Sequence, residues 1–471
     1  MIKKSASETA PPSIRNFSRS DAYRHEIHQL IPGGAHTYSK GDDQFPERSP
    51  AAFARGLNGR VWDIDGNEYV DCALGLASVS LGHAYGPVVE AVQEQIKLGT
   101  NFQRPSFIEM EFAREFLAAV PGAERIKFAK NGSTVTTAAV KLSRAFTSRD
   151  MVAFPGNHPF YSYDDWFIGS TLCQSGVPEV VRSLSLTYDS TKPETLERLF
   201  RDHPGRIACV ITEPEELIPG PPGALRDIAQ VARKHGAVFV VDEMISGFRA
   251  GWPGSHIVQK VEADLVAWGK AIGNGFSLCA LTGRADIMDL GGIRHTQSPK
   301  VFLISTTHGG ETTGIAAARA VLREYKTRDV LHHHRAIVAA VSAGMRACVE
   351  AHRLEDVLQI RGSPWRIVTV CLDPDGSPSA ALKTLLMQEM IARGVLFQGV
   401  FFPCYTHTNE DVDQIVRAFE ASCAIYREAV DRGVKKFLTG APCRPVFRKY
   451  NGCLHACPAV PCPLEAKCRS S

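Results

Sequence analysis

The chain has 471 residues, 44% hydrophobic and 22% charged, which excludes a wholly disordered or fibrous protein and allows two or three domains of roughly 100–200 residues. Lys and Arg outnumber Asp and Glu by only 53 to 50, so the net charge of +3 makes no electrostatic case for a nucleic-acid partner. No stretch reaches the roughly 18 apolar residues of a membrane helix, and residues 5–20 are polar where a secretory signal would be apolar. The expectation is a cytoplasmic enzyme with no membrane partner.

The first forty residues read as an arm with one short helix over 18–30, which stops before Pro32-Gly33-Gly34. Residues 52–69 read as strand, turn and strand, with turns at Asn58-Gly59 and Asp65-Gly66. Helical periodicity follows over 87–98 and 108–119. From 126 to about 322, short apolar runs (126–128, 151–154, 207–211, 237–241, 265–268) alternate with amphipathic stretches such as 134–146 and 225–235. That alternation predicts an α/β fold with a mostly parallel sheet. Residues 330–434 carry long helical patterns and short strands at 367–372 and 395–398, a smaller α+β domain. The boundaries read as arm and hairpin, part of the small domain (1–75); large domain (76–325); C-terminal small domain (326–436); and a Pro- and Cys-rich tail (437–471).

Ligand sites in parallel sheets lie beyond the C-terminal strand ends, and Asn131, Asp242 and Lys270 each follow a predicted strand. Asn131-Gly132-Ser133-Thr134 opens a predicted helix, where free N–H groups suit a phosphate or, more plainly, need an N-cap. Asp242 closes a buried strand, where an ionised carboxylate needs a cation or a protonated ring nitrogen, or caps the next segment of chain. Lys270 sits among apolar residues and glycines; desolvation there would free its amine as a nucleophile, whereas a lone lysine more often reaches solvent. Ser305–Thr312 opens an Ala-rich helix and reads as a second anion cradle.

Together these segments resemble the class III, fold-type I pyridoxal-phosphate aminotransferases, in the branch containing glutamate-1-semialdehyde aminomutase. The likeness spans about residues 32–434. It is carried by Val61-Trp62-Asp63-Ile64-Asp65-Gly66-Asn67-Glu68-Tyr69-Val70-Asp71, by Leu81-Gly82-His83-Ala84, and by Asp242-Glu243-Met244-Ile245-Ser246-Gly247-Phe248-Arg249 followed at matching spacing by Gly269-Lys270. The resemblance implies pyridoxal 5'-phosphate as cofactor, with a large domain around a mostly parallel sheet and a smaller α+β domain. It implies that Lys270 forms a Schiff base with the cofactor and that Asp242 pairs with the ring nitrogen. By the same resemblance Met244 packs on one ring face and Gly132 and Ser133 hold the phosphate. His158, or its rival Phe160, stacks on the other face. Thr307 reaches the phosphate of a partner subunit, so a homodimer is implied.

The departures bear on substrate. Where the family reads Asn-Ser-Gly-Thr-Glu-Ala, this chain has Lys130-Asn131-Gly132-Ser133-Thr134-Val135. Where the aminomutase has an arginine for its substrate carboxylate, the matching offset gives Lys40, near Tyr38, and its aromatic before Gly-His is Leu76. A lysine is a point charge in place of a bidentate fork. Tyr38 and Lys40 are therefore the expected substrate contacts. The function expected is transfer of an amino group from an amino-acid donor to a carbonyl acceptor, such as a keto-sugar or another biosynthetic ketone. The alternative is aminomutase-type transfer within one molecule.

Two motifs stand outside this reading. His332-His333-His334 lies on a predicted helix, where neighbours point about 100° apart and cannot share a metal, so a solvated face is expected. Of thirteen cysteines, the eight from Cys72 to Cys423 read as free buried thiols. The other five cysteines, from Cys443 on, crowd the tail, where Cys453, Cys457, Cys462 and Cys468 match neither zinc nor ferredoxin spacing and read as an exposed, reducible extension. No metal is expected.

Overall fold

A computed structural model describes residues 15–157, 160–215 and 221–453. The chain opens with helix α1 (Ser18–Leu30) and a hairpin of β1 (Phe53–Leu57), β2 (Arg60–Asp63) and β3 (Glu68–Asp71). Helices α2 (Gly86–Lys97) and α3 (Phe107–Ala119) follow. Ser106 and Glu109 form a reciprocal cap at the start of α3, which satisfies two otherwise unpaired N–H groups.

The central sheet has seven strands: β4 (Arg125–Ala129), β5 (Met151–Pro155), β6 (Ser185–Tyr188), β7 (Ile207–Thr212), β8 (Val238–Asp242), β9 (Leu265–Trp268) and β10 (Cys279–Gly283). Their order is β4-β10-β9-β8-β7-β5-β6. Pairing is parallel from β9 through β6, and β10 runs antiparallel to both neighbours. Strands β7, β8 and β9 are buried along their whole length, so they read in sequence as continuous apolar runs. Helices α4 (Gly132–Thr147) and α5 (Ala224–Lys234) cover the sheet. The Ala-rich helix α6 (Thr312–Thr327) packs on α2 and α3, where its small side chains allow a close approach.

Helices α7 (Val330–Ala351), α8 (Ala380–Ala392) and α9 (Asn409–Arg432) pack with β11 (Leu358–Ser363), β12 (Arg366–Cys371), β13 (Val395–Leu396) and β14 (Val400–Phe401) around a second core. Val70 and Cys72 belong to that core because β3 pairs in parallel with β13. Among the described residues, no helix is long and apolar enough to cross a membrane, and no group of three His, Cys, Asp or Glu side chains could hold a metal.

Three expectations need correction. The histidine run is not a solvated face: His334 is fully buried with Nε2 at 2.9 Å from the Ser80 carbonyl, and His333 Nε2 meets the His407 carbonyl at 3.0 Å. Only His332 faces solvent, because its neighbours sit on the side of α7 that packs inward. The described part of the tail is not an exposed extension either: Cys453 is buried and Cys443 half-buried. The anion cradle before α6 is already filled by the Glu311 carboxylate, which accepts N–H from Thr313 (2.9 Å) and pairs with Lys130 (2.8 Å). Those contacts hold the Glu311 carboxyl below its usual range against the opposing effect of burial.

Candidate active site

Strand β8 delivers Asp242 to the C-terminal edge of the sheet, where it is 2% exposed and accepts the Met244 N–H at 2.9 Å. The next carboxylate points elsewhere. Glu243 is fully buried and receives the His256 N–H and Nδ1 at 2.8 and 2.6 Å, so it anchors the following loop. The two adjacent acids thus divide between an edge position and a core position, as period-two alternation requires.

Strand β9 ends at Trp268, whose indole donates to Thr282 at 2.8 Å. The chain then turns sharply, and Lys270 takes a left-handed φ of +47°. Gly269 has no room for a side chain: a Cβ there would stand 2.4 Å from the Met244 sulfur and 2.7 Å from the Cys279 sulfur. A Cβ on Gly132 would meet the same Met244 sulfur at 3.0 Å. The Met244 thioether therefore lies between the α4 N-terminus and the Gly269-Lys270 turn. Burial pulls the Lys270 ammonium below the usual lysine range; Glu213 and Asp242 oppose that shift, and the Arg249 guanidinium reinforces it.

Helix α4 begins at Gly132, with Asn131 Oδ1 accepting the Thr134 N–H at 2.9 Å. Ser133 is buried and its hydroxyl accepts the Tyr163 N–H at 3.1 Å, which joins the helix start to the loop after β5. In that loop Tyr161 is buried and its hydroxyl oxygen accepts the Glu213 N–H at 3.2 Å. The sequence did not single out Glu213; the signal was present in its place just past the buried run 207–211.

Arg249 is a second residue whose role was hidden. It is fully buried and donates to the carbonyls of Ile245 (3.1 Å) and Ala77. Ala77 closes a left-handed turn, with φ of +47°, +62°, +59° and +63° at Leu74, Gly75, Leu76 and Ala77. Such backbone costs non-glycine residues about 1–2 kcal/mol each and persists only where neighbours fix it. Here Asp71 Oδ1 accepts the Ala73 and Leu74 N–H groups. Asn274, four residues beyond Lys270, binds the N–H groups of Ser80 and Leu81 and the carbonyl of Gly82. The turn that carries Leu76 is thus tied to the Asp242 loop through Arg249, and the segment just after it to the Lys270 turn through Asn274.

The structure gathers Lys270, Asp242, Met244 and Gly132, with Ser133 beside them. Phe160 is half exposed, its ring edge-on to Phe167 at 5.9 Å. His158 lies outside the described residues, so the choice between the two rings is open. Thr307 is on the surface, its carbonyl 3.3 Å from the Asn101 amide. Tyr38 and Lys40 are exposed on a 3₁₀ turn tied to Gln398 through the Ser39 carbonyl (3.1 Å). No described contact joins Thr307, Tyr38 or Lys40 to Lys270. The donor set nevertheless suits a flat, phosphorylated ring bearing an aldehyde: a desolvated amine, a buried carboxylate, a thioether floor and an open helix start with a hydroxyl.

Comparison with known proteins agrees. The family model described as aminotransferase class-III matches residues 44–422. The glutamate-1-semialdehyde 2,1-aminomutase of Chloroflexus aurantiacus is 32% identical over 445 residues, covering 87% of this chain and 97% of that protein. Among solved structures, the FumI protein of Sphingopyxis sp. MTA144, in its PLP internal aldimine form, superposes with a TM-score of 0.79 at 24% identity, covering 88% of this chain and 98% of that one. An omega-transaminase from Sphaerobacter thermophilus gives 0.76 at 22% identity, covering 87% and 98%.

Proposed function

The chain belongs to the class III aminotransferases, in the branch that resembles glutamate-1-semialdehyde aminomutase, and on that premise we propose that it transfers an amino group from an amino-acid donor to a carbonyl acceptor with pyridoxal 5'-phosphate as cofactor. The observation that carries the reading is the meeting of Lys270, Asp242, Met244 and Gly132 at one edge of the sheet. Bound there, pyridoxal phosphate would hold the amino group between donor and acceptor and withdraw electrons from the substrate carbon. Lys270 would anchor the cofactor through its amine and, once displaced, carry a proton to and from the substrate carbon. Asp242 would keep the ring nitrogen protonated. Gly132 and Ser133 would receive the phosphate at the positive end of α4. Tyr38 and Lys40 would contact substrate.

A homodimer belongs to the same reading. Ile96, Leu98, Phe102, Phe107 and Phe302 are large apolar side chains exposed around the Thr307 segment. That segment lies beside residues 99–109, through the Asn101 amide to the Thr307 carbonyl and the Thr312 N–H to the Thr100 carbonyl. A second copy covering this face would bring Thr307 to the partner's phosphate.

The deciding experiment is a donor–acceptor screen that follows amine transfer by the cofactor-loaded protein. Turnover with one pair, lost in Lys270→Ala, supports the reading; no transfer with any pair rejects it. Similarity to aminomutases favours intramolecular transfer as the second reading. Efficient conversion of glutamate-1-semialdehyde to 5-aminolevulinate, lost in Lys40→Ala, would promote it.

A further inference from the structure

The described part of the Pro- and Cys-rich tail lies beyond the family match, which ends at residue 422. It does not hang free. The Thr439 and Cys443 N–H groups donate to Gln388 and Thr384 on α8, each at 2.8 Å. The tail then crosses to the N-terminal arm. The Arg444 N–H donates to the Asp43 carbonyl at 2.8 Å, Gln44 donates to the Arg444 carbonyl at 2.9 Å, and the largely buried Arg448 guanidinium pairs with the Asp43 carboxylate at 2.6 Å. Asp43 and Gln44 lie in the next 3₁₀ turn (Asp42–Gln44), joined to the Tyr38–Lys40 turn by Gly41, whose carbonyl accepts the Gln44 N–H.

From there the tail reaches the loop after β5. Phe447 packs edge-on against Phe167 at 6.3 Å, and the Cys173 thiol donates to the Arg448 carbonyl at 3.5 Å. Phe167 in turn contacts the rings of Phe160 and Tyr161 at 5.9 and 5.7 Å. Tyr161 holds the backbone of Glu213, whose charge acts on Lys270. One short segment therefore grips, from outside, both the turn that carries the expected substrate contacts Tyr38 and Lys40 and the stretch that carries Phe160.

We propose that residues 440–453 form a positioning strap, in which Arg448 and Phe447 hold the Tyr38–Lys40 turn and the 160–167 stretch in fixed register and so restrict which carbonyl acceptor enters. The restriction of acceptors rests on the transaminase reading; the grip on the two stretches does not. Neither side chain touches the reacting atoms, so both act through what they hold. The contacts differ in kind, an ion pair on one stretch and a ring contact on the other, so the two holds are separable by substitution.

The test uses the full-length, cofactor-loaded protein with Arg448→Gln, Phe447→Ala and the conservative Arg448→Lys. In amide hydrogen exchange, Arg448→Gln should speed exchange over 38–44 and Phe447→Ala over 160–167, each by about tenfold, with β8 and β9 unchanged. Arg448→Lys should restore protection over 38–44. In kinetics, each disruptive variant should raise KM for the acceptor about tenfold, leave kcat within about threefold, and admit bulkier ketones. Unchanged exchange in both stretches would overturn the strap. Faster exchange with unchanged KM and acceptor range would overturn its role in selection. A uniform rise in exchange across the sheet would also overturn it, because the tail would then be general support. If no pair of substrates reacts with the wild type, the function reading fails while the exchange result still decides the strap.

Discussion

Opposing influences meet on the Lys270 amine. Burial and Arg249 favour its neutral form, while Glu213 and Asp242 favour the ammonium. The balance leaves the amine easier to deprotonate than a surface lysine, which a nucleophile and proton carrier needs. Replacing Asp242 with Asn should leave the fold intact and cost about 10²–10³ in kcat, the scale of removing one fixed electrostatic partner. A kcat within a few-fold of wild type would remove Asp242 from that role. His334 gives a separate, structural expectation. Burial, reinforced by Arg249, pushes its imidazolium pKa from 6.5 down to about 3. The unfolded chain then binds the proton that the folded chain refuses. Stability should therefore fall as pH drops from about 6.5 toward 3, by about 1.4 kcal/mol per pH unit from this one group. Thermal melts between pH 7 and 4 check this, with a shallower decline expected for His334→Gln.

At the scale of elements, the site is made by turns rather than by the strands that feed them. The Gly269-Lys270 turn works because Met244 and Cys279 occupy the space a side chain would need. Gly269→Ala should lower activity and cost about 1–3 kcal/mol through overpacking. Met244→Ala in the same chain should recover only part of that stability, since the Cys279 sulfur still stands 2.7 Å from the new Cβ, and not full activity, since the thioether floor is lost. A double variant no more stable than Gly269→Ala alone would show that the conflict does not lie with Met244. Runs such as 237–241 and 265–268 were legible as buried strands, and Asp242 and Lys270 followed from their ends. Strand β10 was not, because Cys279-Ala280-Leu281 carries little β-branched signal and its pairing between β4 and β9 is a long-range matter. The left-handed turn at Leu74–Ala77 was equally hidden. Its residue types favour ordinary helix, and the backbone is held by Asp71, just upstream, and by Arg249, distant in sequence.

At the scale of the whole molecule, the N- and C-terminal regions meet repeatedly. Strand β3 pairs with β13, Gln398 holds the Ser39 carbonyl, and the tail binds Asp43. The sequence reading grouped the arm and hairpin with the small domain but carried no sign of the tail's contact with Asp43, because separation along the chain hides pairing across it. The apolar face around Phe107 and Phe302 leads to an expected dimer. Sedimentation should give twice the monomer mass, and Phe107→Asp should shift it toward monomer with loss of activity if Thr307 serves the partner's phosphate. A fully active monomer would contradict the shared site. The proposed chemistry turns on cofactor attachment at Lys270. The most direct measurement is borohydride reduction of the pyridoxal-phosphate-loaded protein followed by peptide mass mapping. The cofactor's mass is expected on Lys270 and on no other lysine; attachment elsewhere, or none after reduction, would contradict that role.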